Sequence, residues 1–262
     1  MRTTLRRALA ALVFCLPAVA VADPSAQVSD SFSITNVRVF DGSRVIPEAT
    51  VVVRDGRIRA VGPNVVPPSG LPVIDGTGST LLPGLIDAHA HAWARRDLER
   101  AAQFGVTTEM DMWTDRRFAN RMRREQDRTG APDRADHFSA INPATTPEGY
   151  PYNFTPDVVE TPTLSSPEEA DQFVADRIRE GSNHLLVQAG LEPVDVLTGA
   201  TSAAATAFGF TDRGRIAPGL RADLLLVAGD PTANIKATRA IQRIWKAGVE
   251  VERELPVRRP AH

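Results

Sequence analysis

Leu82-Pro83-Gly84-Leu85-Ile86-Asp87-Ala88-His89-Ala90-His91 is an apolar run that ends in two histidines one residue apart. Side chains at i and i+2 of a strand point to the same side, so on a strand His89 and His91 present both imidazoles to one space, the geometry of a metal-ligand pair. Leu82, Leu85 and Ile86 suit a buried strand, and Pro83-Gly84 marks an abrupt entry into it. The pair is therefore expected at the end of a core element.

Upstream, Ser31 to Val39, Ala49 to Arg54 and Arg57 to Val61 alternate apolar and polar residues, with turns at Asp41-Gly42 and Asp55-Gly56. Asp-Gly between two alternating runs is a strong hairpin signal, because both turn positions tolerate positive φ. A small antiparallel meander follows, with Val73-Ile74-Asp75-Gly76 adding a short strand. Downstream the period changes. Arg95 to Phe104 reads as a helix stopped by Gly105, with Leu98, Ala101, Ala102 and Phe104 on its apolar side, and Val106 to Met110 as a strand. Asp115 to Thr129 reads as a charged helix with Phe118 and Met122 on one face, and His137 to Ile141 as the next strand. After a long loop rich in Pro, Thr and Gly, Ser166-Pro167-Glu168-Glu169 opens a helix to Glu180, with a capping serine, a proline in the first turn and acidic residues after it. Alternation of strand and helix implies parallel strands.

Beyond Gly181 the alternation stops. His184 to Leu191, Glu192 to Gly199 and Thr201 to Phe208 read as three short helices with no strand between them. From Gly214 strands return: Ala222 to Val227 reads as a buried strand, and Ile241 to Lys246 with Val249 to Arg253 as a hairpin about Ala247-Gly248.

The chain has 262 residues, 42% apolar and 24% charged, an ordinary globular composition that excludes a disordered or coiled-coil protein. A net charge of -2 gives no electrostatic case for nucleic acid or an anionic membrane as partner. At the N-terminus, Arg2, Arg6 and Arg7 precede the apolar run Ala8 to Val21, which ends in the small-x-small pattern Ala20-Val21-Ala22. That is the layout of a secretory signal peptide over residues 1–22, cut before Asp23, and the run is shorter than the roughly 20 residues that span a bilayer. Cys15, the one cysteine, lies within it, so the exported chain is expected to carry no disulfide, to reside outside the cell or in the periplasm, and to leave the membrane after cleavage.

Leu82 to His91, Thr211 to Asp230 (TDRGRIAPGLRADLLLVAGD), Ile244 to Val249 (IWKAGV) and the opening Asn36 to Gly42 (NVRVFDG) together resemble the metal-dependent amidohydrolase superfamily. The likeness is to its imidazolonepropionase-like and secreted dipeptidase-like branch. The resemblance implies an α/β fold, a (β/α)8 TIM-type barrel flanked by a β-sandwich that both chain ends build. On this chain it implies a composite sandwich from residues 31–81 with 210–255 and a barrel portion at 82–209. A complete barrel takes about 250 residues, so this portion is an incomplete barrel, with open strand edges through which copies of the chain are expected to associate.

The resemblance makes His89 and His91 the first-strand ligands of a divalent metal, zinc in many members, and sets Asp87 before them either as a carboxylate that orients a ligand or as a strand-end cap. It implies hydrolysis of carbon-nitrogen bonds in small amide-type substrates by a metal-bound hydroxide. The family's bridging lysine, two further histidines and proton-shuttling aspartate have no matching position here. Lys236 and Lys246 both fall in the terminal β region. The catalytic residues are thus unassigned, and a non-catalytic remnant or binding protein stands as the alternative. Glu109 and Asp111, at the C-terminal end of the second strand, are candidate carboxylates, while His137 is expected to pack and His184 is a remote candidate ligand. Tyr150, Tyr152 and Phe154 either line a substrate mouth or pin their loop.

Overall fold

The computed structural model describes residues 30–142 and 193–253, with single positions 166, 169, 172, 176 and 179 between them. The signal segment 1–22, the loop aromatics Tyr150, Tyr152 and Phe154, most of the helix expected from Ser166 to Glu180, and His184 with its short helix lie outside the described residues.

Both ends of the chain build one sheet. Its strands are β1 (Phe32–Phe40), β2 (Val45–Arg54), β3 (Arg57–Gly62), β4 (Val73–Asp75), β5 (Ser79–Pro83), β9 (Leu224–Ala228), β10 (Ile241–Lys246) and β11 (Val249–Glu250). They run in the order β11-β10-β9-β5-β1-β2-β3, with β4 pairing to β1. The seam between the ends is the antiparallel ladder of β5 and β9, from Ser79 opposite Ala228 to Pro83 opposite Leu224. Alternating residues of these strands enclose a core of Ile34, Val37, Val39, Val51, Val53, Ile58, Leu81, Leu224 and Trp245. The sheet curls, because Phe32 on β1 stacks on Trp245 of β10 with ring centres 5.0 Å apart. The residues leading into β9 also pair with the free side of β3, through Ile58 N–H to Leu220 O at 2.9 Å and Ala222 N–H to Gly56 O at 2.8 Å.

The Asp55-Gly56 hairpin forms as its sequence predicts, with φ of 52° and 68°. The Ala247-Gly248 turn has φ of 49° and 80°. The two tips meet: a Cβ on Gly56 would lie 2.3 Å from the Ala247 carbonyl oxygen, so only glycine lets the backbones approach this closely.

The second sheet is parallel, in the order β6-β7-β8, formed by β6 (Leu85–Ala90), β7 (Val106–Asp111) and β8 (Asp136–Ser139). The opening run of sequence is therefore two strands rather than one. Leu82 and Pro83 complete β5 of the first sheet, and Gly84 is the crossing point: its N–H goes to Asp223 O, while the N–H of Leu85 goes to Gly105 O. A Cβ on Gly84 would lie 2.4 Å from Thr107 Oγ1, which explains a glycine there.

Helix α1 (Arg95–Gln103) follows β6 and α2 (Arg116–Thr129) follows β7. Asp97 reaches back to accept the N–H groups of Ala94 and Trp93, at 2.8 and 3.1 Å, and Asp115 caps α2 by accepting the N–H of Phe118 at 2.8 Å. Gly130 ends α2 at a φ of 67°. Phe104, expected on the apolar face, instead forms the cap of α1 and is exposed. Past the undescribed residues, α3 (Pro193–Thr198) runs through a wider π-type turn at Gly199–Ala203 into α4 (Ala204–Ala207). The two helices expected on either side of Gly199 are thus one continuous rod: glycine weakens a helix but does not end one whose neighbours are packed, and Leu197, Thr201 and Ala204 are all buried. Ala204 and Ala205 pack on Ile86 and Met110 of the second sheet.

A buried cluster of charges joins the two sheets. Asp136, at the start of β8, meets Arg221 at 2.7 Å, Arg213 at 2.5 Å and Lys246 of β10 at 2.7 Å. The Lys246 contact is an attraction between charges rather than an aligned hydrogen bond. Burial alone would raise the Asp136 carboxyl, but Lys246, Arg221 and Arg213 together hold it well below the usual carboxylate range. Removing one member of a buried ion cluster leaves the others unpaired, at a cost of about 3–5 kcal/mol. Asp136→Asn is therefore expected to lower the urea midpoint sharply at pH 7. Because the folded pKa is depressed, the carboxylate's contribution is complete above the unfolded value of about 4 and fades below it. The gap between Asp136→Asn and the parent chain should accordingly narrow in melts taken as the pH falls below about 4.

Candidate metal centre

β6 carries Asp87 and His89 and hands the chain to His91, all three exposed. The structure brings the two imidazoles together, with ring centres 5.5 Å apart and planes at 80°. Asp87 Oδ1 accepts the backbone N–H of His89 at 3.0 Å, so this carboxylate steadies the peptide that carries the first imidazole.

His91 is held more firmly. Its Nδ1 lies 3.2 Å from the carbonyl oxygen of Trp113. A carbonyl only accepts, so in this contact Nδ1 carries the proton and Nε2 keeps the lone pair with which an imidazole binds a metal. Trp113 is in turn fixed by Asp111, whose Oδ1 accepts its N–H at 2.9 Å. Asp111 Oδ2 accepts the N–H of Ala92 at 3.2 Å and meets His137 Nε2 at 2.8 Å. This one fully buried carboxylate therefore ties together the ends of β6 and β7 and the ring of His137 on β8.

His137 packs, as expected, edge-on to Phe118 with ring centres 5.5 Å apart. Its role as the partner of Asp111 was not visible in the sequence, because the two are 26 positions apart and meet only through the parallel register. Glu109 faces Asp87 across the β6–β7 ladder. Burial first, then the charges of Asp87, Asp111 and Asp97, push its carboxyl up to about 7.

Two imidazoles sharing one tetrahedral zinc at about 2.0–2.1 Å place their ring centres about 5 Å apart, close to what His89 and His91 show. A protein zinc site takes three or four such donors. Among the described residues no group of three or more His, Cys, Asp or Glu side chains is placed to hold a metal ion, and Asp111 is already engaged by two backbone N–H groups and His137. The pair fits two corners of a site and does not close one.

A family model described as the amidohydrolase family matches residues 167–251. The chain is thus similar to the amidohydrolase family over this C-terminal stretch. An imidazolonepropionase of Salinispora arenicola is 42% identical over 74 residues, 28% of this chain and 18% of the relative. A dihydroorotase of Mycobacterium tuberculosis is 44% identical over 62 residues, 23% of this chain and 14% of that one. The chain thus spans under a fifth of the length of these curated relatives. Among solved structures, a Xaa-Pro dipeptidase with methionine bound in its active site superposes with a TM-score of 0.69 at 13% identity, covering 85% of this chain and 100% of that one. The ochratoxinase of A. niger superposes with a TM-score of 0.65 at 12% identity, over 83% and 94%. At such identities the likeness is one of fold, a mixed α/β architecture shared with this chain.

Glu109 gives the centre a measurable pH dependence. Its folded pKa is raised, so its stabilising contribution is complete below the unfolded value of about 4.3 and is lost as the pH rises through about 7. Thermal melts should show stability declining across that window, and Glu109→Gln should flatten the decline and raise stability at pH 8 by roughly 2 kcal/mol.

Proposed function

We propose that this chain is of the amidohydrolase family and is a metal-dependent hydrolase of carbon-nitrogen bonds in small amide-type molecules, acting outside the cytoplasm after removal of residues 1–22. The observation that carries the reading is the His89–His91 pair, set side by side at the end of the first parallel strand in the Leu82 to His91 run that resembles the family. A divalent metal, zinc in many members of the family, supplies when bound a more acidic water and a polarised carbonyl. The chain's own contribution is the free Nε2 of His91, oriented through Trp113, beside the imidazole of His89. In this reading the parallel sheet β6-β7-β8 is the opening part of a (β/α)8 barrel, and the eight-stranded sheet is the β-sandwich that accompanies it.

A second reading, a non-catalytic remnant, draws on the incomplete donor set and on the engagement of Asp111. The two separate in one experiment on the purified, dialysed full chain, given zinc, manganese or cobalt with a panel of N-acyl amino acids, dipeptides and lactams. The catalytic reading expects slow turnover that requires added metal and drops at least about tenfold in His91→Asn. Absence of turnover with every metal and substrate would leave the remnant. For export, N-terminal sequencing of the chain recovered from the periplasm should begin at Asp23, and recovery of the intact N-terminus from the cytoplasm would refute it.

A further inference from the structure

Helix α2 carries a charge that its own stability does not explain. Over Arg116–Thr129 it holds six arginines against two carboxylates, a formal +4 within a chain whose net charge is -2. Arg117, Arg121, Arg124 and Arg128 are all exposed and recur at intervals of four, three and four, which sets them in one stripe about 17 Å long within an arc of about 60°. The opposite face serves the fold: Phe118 and Met122 pack with Leu98 of α1 and Ala92, and Arg95 of α1 takes Glu125 at 2.5 Å. The stripe works against the helix that bears it. Arg116 and Arg117 stand in the first turn, where positive charge opposes the helix dipole, and like charges four apart, Arg117 with Arg121 and Arg124 with Arg128, repel.

We infer that the α2 stripe is a docking surface for a lipid bilayer rich in anionic phospholipid, held at the headgroups without insertion into the acyl layer. Charge complementarity names the partner: four guanidiniums in a row suit phosphate groups, whose oxygens match a planar fork of N–H donors. The overall net charge, from which no anionic partner is expected, conceals this local excess. The apolar residues of α2, Phe118, Ala119 and Met122, are buried in the fold, so the helix has none to place in the hydrocarbon and attachment is electrostatic and reversible. A straight stripe on an outward helix face lies flat against a planar surface, whereas a nucleic-acid duplex takes a helix seated in its groove. The setting rests on the export reading of residues 1–22, which brings the chain to a membrane; the surface itself requires neither turnover nor metal.

The test uses the chain starting at Asp23, which keeps every contact described above and lacks the apolar segment that would bind lipid by itself. It should sediment with vesicles of phosphatidylglycerol and phosphatidylcholine and not with vesicles of phosphatidylcholine alone. Salt near 1 M, which shortens screening to about 3 Å, should release it. Each arginine near the surface contributes about fivefold in partition, so Arg117→Gln/Arg124→Gln/Arg128→Gln should bind about a hundredfold more weakly, while the same three positions changed to lysine should retain most of the binding. Arg54→Gln/Arg59→Gln, at exposed positions of β2 and β3, removes charge elsewhere and should leave binding within about twofold. Melting curves check that each variant folds. No binding, binding to neutral vesicles as strong as to anionic ones, binding that survives high salt, an equal loss in the Arg54/Arg59 variant, or a short DNA duplex bound more tightly than the vesicles at the same salt would each overturn the proposal. Vesicle binding without hydrolysis leaves this inference standing and counts only against the catalytic reading. A cytoplasmic chain with its N-terminus intact would sink the export reading alone, since vesicle binding is read separately.

Discussion

The architecture depends on one buried carboxylate. Asp136 sits at the start of β8 in the parallel sheet, yet the cations it meets, Arg213, Arg221 and Lys246, all come from the C-terminal part of the chain. Burying a charge is costly unless it is paired, so β8 is stable in this position only if the C-terminal strands are in place to neutralise it. Arg221 also pairs with Asp223, whose Oδ1 accepts the N–H of Ala247 at 2.8 Å. The charge cluster thereby reaches the β10–β11 turn, and through it the Asp55-Gly56 hairpin. The parallel sheet that carries the histidine pair is fixed to the sheet built by both termini through this cluster and through the single-residue crossing at Gly84.

A second carboxylate, Asp111, does for the top of the parallel sheet what Asp136 does for its base. It satisfies the backbone where β6 and β7 give way to loops and holds the ring of His137. The histidine pair thus stands on a braced rim. One imidazole is oriented by the carbonyl that Asp111 fixes, and the other is steadied at the backbone by Asp87. The same bracing has a chemical consequence: three of the acceptor positions of Asp111 are committed to Ala92, Trp113 and His137, so this carboxylate braces the rim.

Much of this was legible in the sequence, and the parts that were not share a cause. The strands of the parallel sheet, α1 and α2 with their glycine stops, the Asp55-Gly56 hairpin and the convergence of His89 with His91 all follow from local period and local turn chemistry. The division of the Leu82 to His91 run between two sheets does not, because an apolar run has no internal mark of which partner each residue will pair with. Nor does continuity of the helix through Gly199, where packing of Leu197 and Thr201 outweighs a glycine's weak propensity. Lys246 read as a lysine on a terminal strand; its importance lies in a partner more than a hundred positions away. Pairings such as Asp111 with His137 and Asp136 with Arg213 belong to register and tertiary approach, which single-chain pattern reading does not reach.

The meeting of the Gly56 and Gly248 turns bears on when this molecule can exist at all. Strands made early, β1 to β5, lack one neighbour until β9 arrives, and the first hairpin lacks the surface it rests on until the β10–β11 turn has been made. Contacts so distant in sequence are slow to form, because loop closure must precede any reward from burial. During synthesis the first half of the chain must therefore pass through an interval with its apolar strands unfinished. A companion that shields those strands, or a delay in folding until the last residues emerge, is as much a requirement of this topology as any residue in its core.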